Sequence, residues 1–440
     1  MPSLLQLFFP IFFLIITSCQ AQKSFRPSAL VLPVTKDVKT LQYVTTITQR
    51  TPPVLVKLVV DLGGQFVWID CQSSYISSSY RPARCGSSQC KIANAHSFCS
   101  TCNNIPSPIC SNNTCELSPQ NGVTEFITGG DVTMDVLSLK STNGYKPGVS
   151  VSVPQFIFAC TRSFLLEGLA EGTKGIAAFG RTRIALPTQL AAAFSLHRKF
   201  AMCLSPSMEA PGAIFFGDGP YSFFPGSDVS KSLTYTKLIN NPKSTNGVAL
   251  RGEPSFEYFI GVTSVTINGK QLPLNSSLLS IGKNGVGGTK LSTVAPYSIL
   301  ETSVYKALTE TFIREAVSRN ITRVASVAPF GACFSSKSIV SIRGRLQVPS
   351  IDLVLQSKSV TWPIYPTNSL VKVSDDVMCL GFIDGNSVED VDNKPRASIV
   401  LGGYQLENNF IQFDLATSRV GFTSMPYEFT AGCANFRSSV

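Results

Sequence analysis

The chain has 440 residues, of which 44% are hydrophobic and 15% are charged. This composition predicts an ordered core, sufficient for one large or two ordinary domains, and it excludes a chain that is disordered throughout. The formal net charge is +10. No run of five Lys or Arg residues and no aromatic-basic motif accompanies that charge, so the sequence argues against nucleic-acid binding.

The N-terminus carries an apolar run at residues 4–16, followed by small residues up to Ala21. This pattern predicts a secretory signal peptide over residues 1–21. The run is shorter than the roughly 20 apolar residues of a membrane span, and no later segment is a better candidate. We therefore expect a secreted protein of the extracellular space. Its positive charge favours an acidic polysaccharide or an acidic protein as a partner, or merely aids solubility.

Short runs of Val, Ile, Thr and Phe, separated by clusters of Gly, Pro, Asn and Ser, dominate the rest of the chain. This pattern predicts a mainly β protein. We expect strands over 41–48, 57–61, 65–69, 155–159, 213–216, 259–267 and 410–414. Helices are expected at 187–194 and at 303–317. The second helix has apolar residues on one face, and Asn320 follows it as a stop.

Cysteine usage agrees with secretion. Of 13 cysteines, Cys19 leaves with the signal peptide, and the remaining 12 form an even number that implies disulfides. The spacing of Cys99 and Cys102 is also compatible with zinc or a redox dithiol. The chain has only two histidines, however, and no pair of them lies at ligand spacing. We therefore expect disulfide-linked loops, no metal site and no cofactor.

Three sequons begin at Asn112, Asn275 and Asn320. In a secreted protein, each of them predicts an N-glycan on the surface.

Residues 58–71 combine a hydrophobic strand, an acidic turn at Asp61 with two following glycines, and a second strand that ends at Cys71. They resemble the first active-site loop of pepsin-like aspartic proteases, with Leu62 and Gly64 in place of Thr and Ser. The matching loop of the second half carries Ser292 where the second aspartate belongs. The plainer interpretation of Asp61 is a turn aspartate that bonds to its own backbone.

The missing aspartate has a chemical consequence. Aspartic proteolysis needs two carboxylates that share one proton, so that one acts as base while the other acts as acid. Ser292 cannot ionise near neutral pH and cannot replace a carboxylate. Leu62 also lacks the hydroxyl that cross-links the two loops in active members. The sequence therefore predicts a degenerate protease scaffold that is not an enzyme.

A weak internal repeat indicates two related lobes. The first half has a loop at 61–63 and an apolar strand at 175–180, and the second half has equivalents at 292–294 and 398–403. Residues 402–422 resemble the last hairpin of pepsin-like proteins, with a turn at 416–418. The resemblance implies a bilobal fold of two β-barrel-like lobes with a few short helices. We expect an N-terminal lobe over 22–225 and a C-terminal lobe over 226–440.

The resemblance covers nearly the whole mature chain. Residues 25–34, 61–64, 180–187 and 323–330 are similar to the plant extracellular dermal glycoproteins, xyloglucanase inhibitors, xylanase inhibitors and basic 7S globulins. This group is a proteolytically inactive branch of the pepsin-like aspartic proteases. The resemblance implies a secreted inhibitor of microbial cell-wall-degrading glycoside hydrolases, with a xyloglucan-specific endo-β-1,4-glucanase as the expected target. It also implies a location in the cell wall (apoplast). The alternative is an extracellular protein that binds a peptide or another ligand, or a storage protein of the basic 7S globulin type.

The resemblance also implies the cysteine pairs. Nine mature cysteines precede residue 225 and three follow it, so at least one disulfide joins the lobes if all of them pair. We expect Cys203 to pair with Cys433 and Cys333 with Cys379. The other eight are expected to pair among themselves: Cys71, Cys85, Cys90, Cys99, Cys102, Cys110, Cys115 and Cys160.

The inhibitory contacts are expected to be arginines. A retaining glycosidase holds two carboxylates about 5–5.5 Å apart in an open cleft. The planar guanidinium of Arg binds carboxylates with two parallel hydrogen bonds. The resemblance points to Arg323 and Arg396, and the alternative for each is a solvated or salt-bridged surface residue. Weaker candidates are Lys394, Arg343 and Arg345.

Overall fold

The computed structural model describes residues 25–95, 99–102, 107–223, 228–246, 253–357, 359–385, 396–425 and 432–436. The expected signal peptide at 1–21 and the expected lobe boundary near residue 225 lie outside the described residues. None of the helices within these ranges combines the length and the apolar character that a membrane crossing requires.

Within the described residues, the first half of the chain is built mainly from strands and contains two α-helices. The helices are α1 Ser88–Ile92 and α2 Leu186–Phe194. The strands are β1 Ala29–Lys36, β2 Tyr43–Gln49, β3 Val54–Asp61, β4 Trp68–Asp70, β5 Arg81–Pro82, β6 Cys99–Ser100, β7 Thr114–Leu117, β8 Gly130–Thr142, β9 Pro147–Thr161, β10 Gly175–Ala178, β11 Lys199–Cys203 and β12 Gly212–Gly217.

The second half is also mainly β. Its helices are α3 Ser276–Leu279, α4 Thr302–Val317, α5 Pro366–Ser369 and α6 Gly403–Leu406. Its strands are β13 Thr234–Ile239, β14 Phe259–Ile260, β15 Val262–Ile267, β16 Lys270–Gln271, β17 Thr289–Leu291, β18 Ser298–Leu300, β19 Arg323–Val324, β20 Cys333–Ser335, β21 Ser341–Ile342, β22 Arg345–Leu346, β23 Ile351–Leu355, β24 Thr361–Ile364, β25 Leu370–Lys372, β26 Val377–Leu380, β27 Phe382–Asp384, β28 Ile399–Leu401, β29 Asn409–Asp414 and β30 Arg419–Ser424.

Helix α4 forms where the sequence predicts it. The carboxylate of Glu301 caps its first turn by accepting hydrogen bonds from the backbone N–H groups of Ser303 and Val304. The apolar positions of one face, Val304, Leu308, Phe312 and Ala316, are buried. Asn320, which follows the helix, adopts a left-handed backbone conformation with φ of 63°, and this ends the helical path.

The predicted internal repeat corresponds to a shared strand arrangement. In the first half, β10 pairs in parallel with β3 and antiparallel with β4, which pairs in parallel with β9. In the second half, β28 pairs in parallel with β17 and antiparallel with β18, which pairs in parallel with β27. Asp61 ends β3 and Ser292 follows β17. The repeat therefore places these two residues at equivalent points of the two halves.

One antiparallel sheet joins the halves. Its strands follow the order β1, β12, β11, β29, β30 and β13. The predicted final hairpin is β29–β30, and it pairs with both halves at once. At its centre Phe200 of β11 stacks on Phe413 of β29, with 4.7 Å between the ring centroids. The two halves therefore share one continuous hydrophobic core.

Six disulfides form among the described residues. Cys203 of β11 bonds to Cys433, and Cys333 of β20 bonds to Cys379 of β26. The remaining pairs, all in the first half, are Cys71–Cys160, Cys85–Cys99, Cys90–Cys115 and Cys102–Cys110. Cys99 and Cys102 therefore have different partners. Within the described ranges, no group of three or more His, Cys, Asp or Glu side chains could hold a metal ion.

Candidate functional site: a cleft between equivalent loops

Asp61 lies in a buried turn at the end of β3. Its side chain is 4% exposed, and its Oδ1 accepts a hydrogen bond of 2.8 Å from the backbone N–H of Gly63. The backbone N–H of Gly64 donates to the Asp61 carbonyl. These are the local bonds of a turn aspartate. They fix the carboxylate in one orientation.

Ser292 occupies the equivalent turn of the second half. Its backbone N–H donates to the carbonyl of Leu401 at 2.9 Å, and its hydroxyl accepts a hydrogen bond from the N–H of Ala295. The side chain is 7% exposed. The loop that faces Asp61 therefore presents a hydroxyl engaged with its own turn, and no second carboxylate stands at this position.

The side chain of Thr293 links the second loop to the first, but no equivalent side chain of the first loop links back to the second. Its hydroxyl accepts a hydrogen bond from the N–H of Leu62 at 2.9 Å and donates to the carbonyl of Val60 at 2.7 Å. Leu62 has no hydroxyl with which to return the link, and its side chain is fully buried in the core. The scaffold therefore keeps one half of a reciprocal cross-link.

A cleft of about 600 Å³ runs past both loops. Asp61, Ser292 and Arg396 line the same space. Acidic groups outnumber basic ones along its walls; the ionisable residues are Asp61, Glu125, Glu257, Glu301 and Asp384 on the acidic side and Lys290 and Arg396 on the basic side. The cleft therefore attracts cationic groups more strongly than anionic ones.

Glu257 and Lys290 form a buried ion pair in the cleft wall. Their Oε1 and Nζ atoms lie 2.7 Å apart, and the side chains are 2% and 18% exposed. Thr245 and Ser255 donate hydroxyl hydrogen bonds to the other oxygen of Glu257. Burial opposes ionisation of Glu257, but Lys290 and the two hydroxyls outweigh it and hold the pKa of Glu257 below its usual value. Glu257 is therefore ionised at neutral pH.

Burial raises the pKa of Asp61 to about 6. The negative charge of Glu257 adds to this rise, whereas the bond from Gly63 and the charge of Lys290 oppose it. Asp61 thus changes its protonation state near pH 6, although the equivalent turn of the second half offers it no carboxylate with which to share the proton.

The backbone of Gly122 lies close to the carboxylate of Asp61. A Cβ atom at this position would lie 2.7 Å from Oδ2 of Asp61, which is closer than real Cβ contacts. Only glycine therefore fits here without a shift of the segment or of the aspartate.

The structure separates the predicted inhibitory arginines. Arg396 is half-buried and lines the cleft. Arg323 is exposed on β19, which pairs with β20 in a small separate sheet, and is not among the residues that line the cleft. Arg343 and Arg345 lie at the β21–β22 hairpin, beside another cavity that Tyr365 also lines. Lys394 lies outside the described residues.

The three sequon asparagines are exposed. Oδ1 of Asn112 accepts a hydrogen bond from the N–H of Cys102, and Oδ1 of Asn275 accepts one from the N–H of Ser277. These bonds use the amide oxygen and not the nitrogen, which is the atom that carries an N-glycan.

Sequence reasoning missed Glu257 and Lys290. Lys290 lies in β17, two residues before the turn position where Ser292 replaces the second aspartate. Glu257 is a single charge within the aromatic run 256–259. A buried charge in such a run needs a partner, and this requirement is the signal that could have identified the pair.

Comparison with protein-family models identifies the family of this chain. The model described as xylanase inhibitor N-terminal matches residues 43–218, and the model described as xylanase inhibitor C-terminal matches residues 257–424. The chain belongs to the xylanase inhibitor family. It is 54% identical over 425 residues to a Nicotiana benthamiana protein named probable aspartic proteinase GIP2. The alignment covers 96% of this chain and 95% of the relative. The predicted family resemblance is confirmed.

Comparison with solved structures supports the same family and the predicted fold. The crystal structure of edgp has a TM-score of 0.91 at 57% identity, covering 95% of this chain and all of the other. Basic 7S globulin from soybean has a TM-score of 0.79 at 35% identity, covering 94% of this chain and all of the other. An aspartic proteinase from Irpex lacteus, at 15% identity, has a TM-score of 0.55 over 92% of this chain and 99% of its own, and shares the fold alone. The predicted bilobal, mainly β, pepsin-like fold is confirmed.

Proposed function

We propose that this member of the xylanase inhibitor family is a secreted inhibitor of microbial cell-wall-degrading glycoside hydrolases, with a xyloglucan-specific endo-β-1,4-glucanase as its target. The family match over both halves of the chain supports inhibition as its mode of action. In the same proposal the chain is not a protease, because the turn opposite Asp61 carries Ser292 and offers no second carboxylate for acid–base chemistry.

In the proposed mechanism, Arg396 is the main contact with the target enzyme. Of the two predicted arginines, it is the one that lines the cleft, where its side chain is half-buried. The guanidinium would approach the paired carboxylates of the target enzyme and form two parallel hydrogen bonds. Arg323, exposed on β19, would contribute a second and separate contact.

The deciding experiment measures inhibition of a purified xyloglucan endoglucanase by the mature protein, beside Arg323→Ala and Arg396→Ala. Stoichiometric inhibition that either change weakens would support both the function and its contact residues. Inhibition that neither change affects would keep the function and move the contact elsewhere. A lack of inhibition across several endoglucanases and xylanases would overturn the proposal.

A digestion assay with acid-denatured haemoglobin tests the statement that the chain is not a protease. We expect no cleavage from pH 3 to 6 above the level of Asp61→Asn, which removes the remaining carboxylate. Cleavage that depends on Asp61 would overturn this part of the proposal.

The charge of the cleft favours one alternative function, the binding of a peptide by a storage or ligand-binding protein. Five acidic side chains against two basic ones would select a basic peptide. Saturable binding of a Lys-rich peptide, lost when Glu301 is changed to Gln while endoglucanase inhibition is absent, would favour this alternative over inhibition.

A further inference from the structure

A second concave surface, separate from the cleft, carries a concentration of positive charge. We call it the basic groove; it is an open depression of about 850 Å³ whose charged lining residues are Lys91, Arg181, Arg183, Arg198 and Glu253. The four cations come from distant parts of the sequence, on α1, after β10 and before β11. The groove shares no lining residue with the cleft. The fold therefore assembles a local charge of +3 that is not visible as a run in the sequence.

The cations of the basic groove are available to a ligand. Lys91, Arg183 and Arg198 are exposed, and within the described ranges none of the four cations forms an ion pair with a carboxylate. Elsewhere in the molecule exposed lysines do find acidic partners, as Lys39 does with Glu171 and Lys337 with Asp376. The basic groove therefore keeps its charge unneutralised.

Arg181 gives the groove a rigid wall. Its guanidinium donates hydrogen bonds to the side chain of Asn240 and, at 2.9 Å, to the carbonyl of Ser255. Both acceptors are neutral, so the positive charge is oriented without being cancelled. Burial lowers the pKa of Arg181, but the guanidinium stays charged at any physiological pH. One member of the cluster is thus preorganised, which reduces the entropy cost of binding.

We propose that the basic groove binds an acidic polysaccharide whose sugar units carry carboxylates, that is, a polyuronate chain. This inference rests on the secretion that the proposed function includes, since such polymers are extracellular. The groove is open, as an extended chain requires, and it mixes several cations with neutral hydrogen-bonding side chains such as Asn94 and Thr182. A polyuronate alternates carboxylates with hydroxyl groups, and this lining offers a partner to each kind of group.

Binding to this polymer would hold the protein in the cell wall while the cleft stays open to an enzyme.

The aromatic side chains that line the groove, Phe66 and Phe256, are 5% and 8% exposed. They offer no face on which nucleic-acid bases could stack. The chemistry of the groove thus favours a carboxylated sugar chain over a nucleic acid.

The test measures binding of a galacturonate oligomer of defined length to the full mature protein by calorimetry, as a function of salt. The variant Arg183→Gln/Arg198→Gln is compared with Lys140→Gln/Lys306→Gln, which loses the same charge at exposed positions outside the groove. We expect the groove variant to bind about 10-fold or more weakly, because two direct charge contacts are lost. The control should stay within about 2-fold of the parent.

Two further probes decide the chemistry. A neutral xyloglucan oligomer should not bind the groove, and poly-glutamate of equal charge should bind less tightly than the galacturonate oligomer. Equal loss of affinity in both double variants, or equal affinity for poly-glutamate, would overturn the proposal. Endoglucanase inhibition should be the same in the parent and in the groove variant, so a failure of this inference is distinguishable from a failure of the proposed function.

Discussion

Lys36 and Glu407 form an ion pair of 2.6 Å in which the side chains are only 7% and 2% exposed. Lys36 belongs to β1, and Glu407 follows α6 near the other end of the chain. The hydroxyl of Tyr43 donates to the same oxygen of Glu407 at 2.7 Å. A buried charge of this kind is tolerated only while it is paired. The pair therefore ties the first strands to the last segment of the fold.

Removal of the cation is expected to destabilise the protein strongly. Lys36→Met leaves Glu407 buried without a counter-charge, which should lower the free energy of unfolding by about 3–5 kcal/mol. The double variant Lys36→Met/Glu407→Gln keeps an acceptor for Tyr43 and removes the orphan charge, so it should recover part of the loss. Urea unfolding of the parent and both variants measures the difference. A double variant that is no more stable than Lys36→Met would contradict this explanation.

The loss of stability in the single variant Lys36→Met should also depend on pH. Burial raises the pKa of Glu407, and Lys36 opposes the rise; without Lys36 the pKa goes higher still. A carboxyl with a raised folded-state pKa favours folding at low pH, and this contribution is lost as pH rises through the folded-state value. Lys36→Met should therefore lose more stability relative to the parent at pH 7 than at pH 4, as thermal unfolding at the two pH values can measure.

The link made by Thr293 should also be measurable. Thr293→Val leaves the N–H of Leu62 and the carbonyl of Val60 buried without their partner, at a cost of about 1–3 kcal/mol for each unsatisfied group. Thr293→Ser retains the hydroxyl and serves as the matched control, with a much smaller expected loss. The midpoints of urea unfolding compare the two variants. Equal losses in both would mean that the methyl group, and not the hydrogen bonds, stabilises the loops.

Much of the fold could be predicted because its signals are local. The apolar face of 303–317 and the final hairpin depend on residue spacing within one element, and both form as predicted. The predicted strand 259–267 is split at Gly261 into β14 and β15, which pair with different neighbours. The prediction of a strand from residue 65 began too early, because β4 starts at Trp68 after a turn. Such boundaries depend on distant strands and not on local propensity.

The candidate site could be predicted only in part. Asp61 and Ser292 follow from the repeat, since equivalent turns meet in a two-fold arrangement. Arg323 lies away from them because β19 belongs to the small sheet of β19, β20, β25 and β26. Arg396 lies beside them because its carbonyl accepts a hydrogen bond from the backbone N–H of Gly287, just before β17. The ion pair of Glu257 and Lys290 joins residues that β14 and β17 bring together. No spacing in the sequence specifies contacts of this kind.

The raised pKa of Asp61 predicts a second pH effect. The pKa is about 6 in the folded protein against a usual 3.8, so the charged form opposes folding once pH rises above the usual value. The full cost, reached above pH 6, is about 3 kcal/mol. Asp61→Asn removes this titration and should become more stable relative to the parent by about 2 kcal/mol between pH 4 and pH 7. Thermal unfolding across this range gives the comparison.

An exposed aspartate supplies the control for that measurement. The pKa of Asp375 is lowered by its hydrogen bond with Lys372, so its carboxylate gives no penalty that grows with pH. Asp375→Asn should therefore show no gain in stability from pH 4 to pH 7. If Asp61→Asn and Asp375→Asn had the same pH profile, the burial of Asp61 would not be the cause.

The proposed inhibition makes a prediction about geometry as well as charge. Arg396→Ala should weaken inhibition of the target endoglucanase by about 2–5 kcal/mol, because a charge pair that is buried in the complex is lost. Arg396→Lys keeps the charge but loses the planar fork, so it should fall between the parent and the alanine variant. Arg84→Ala removes an exposed cation that does not line the cleft, and should leave the inhibition constant unchanged. If lysine restored full inhibition, charge alone would account for the contact, and the paired hydrogen bonds would have no part in it.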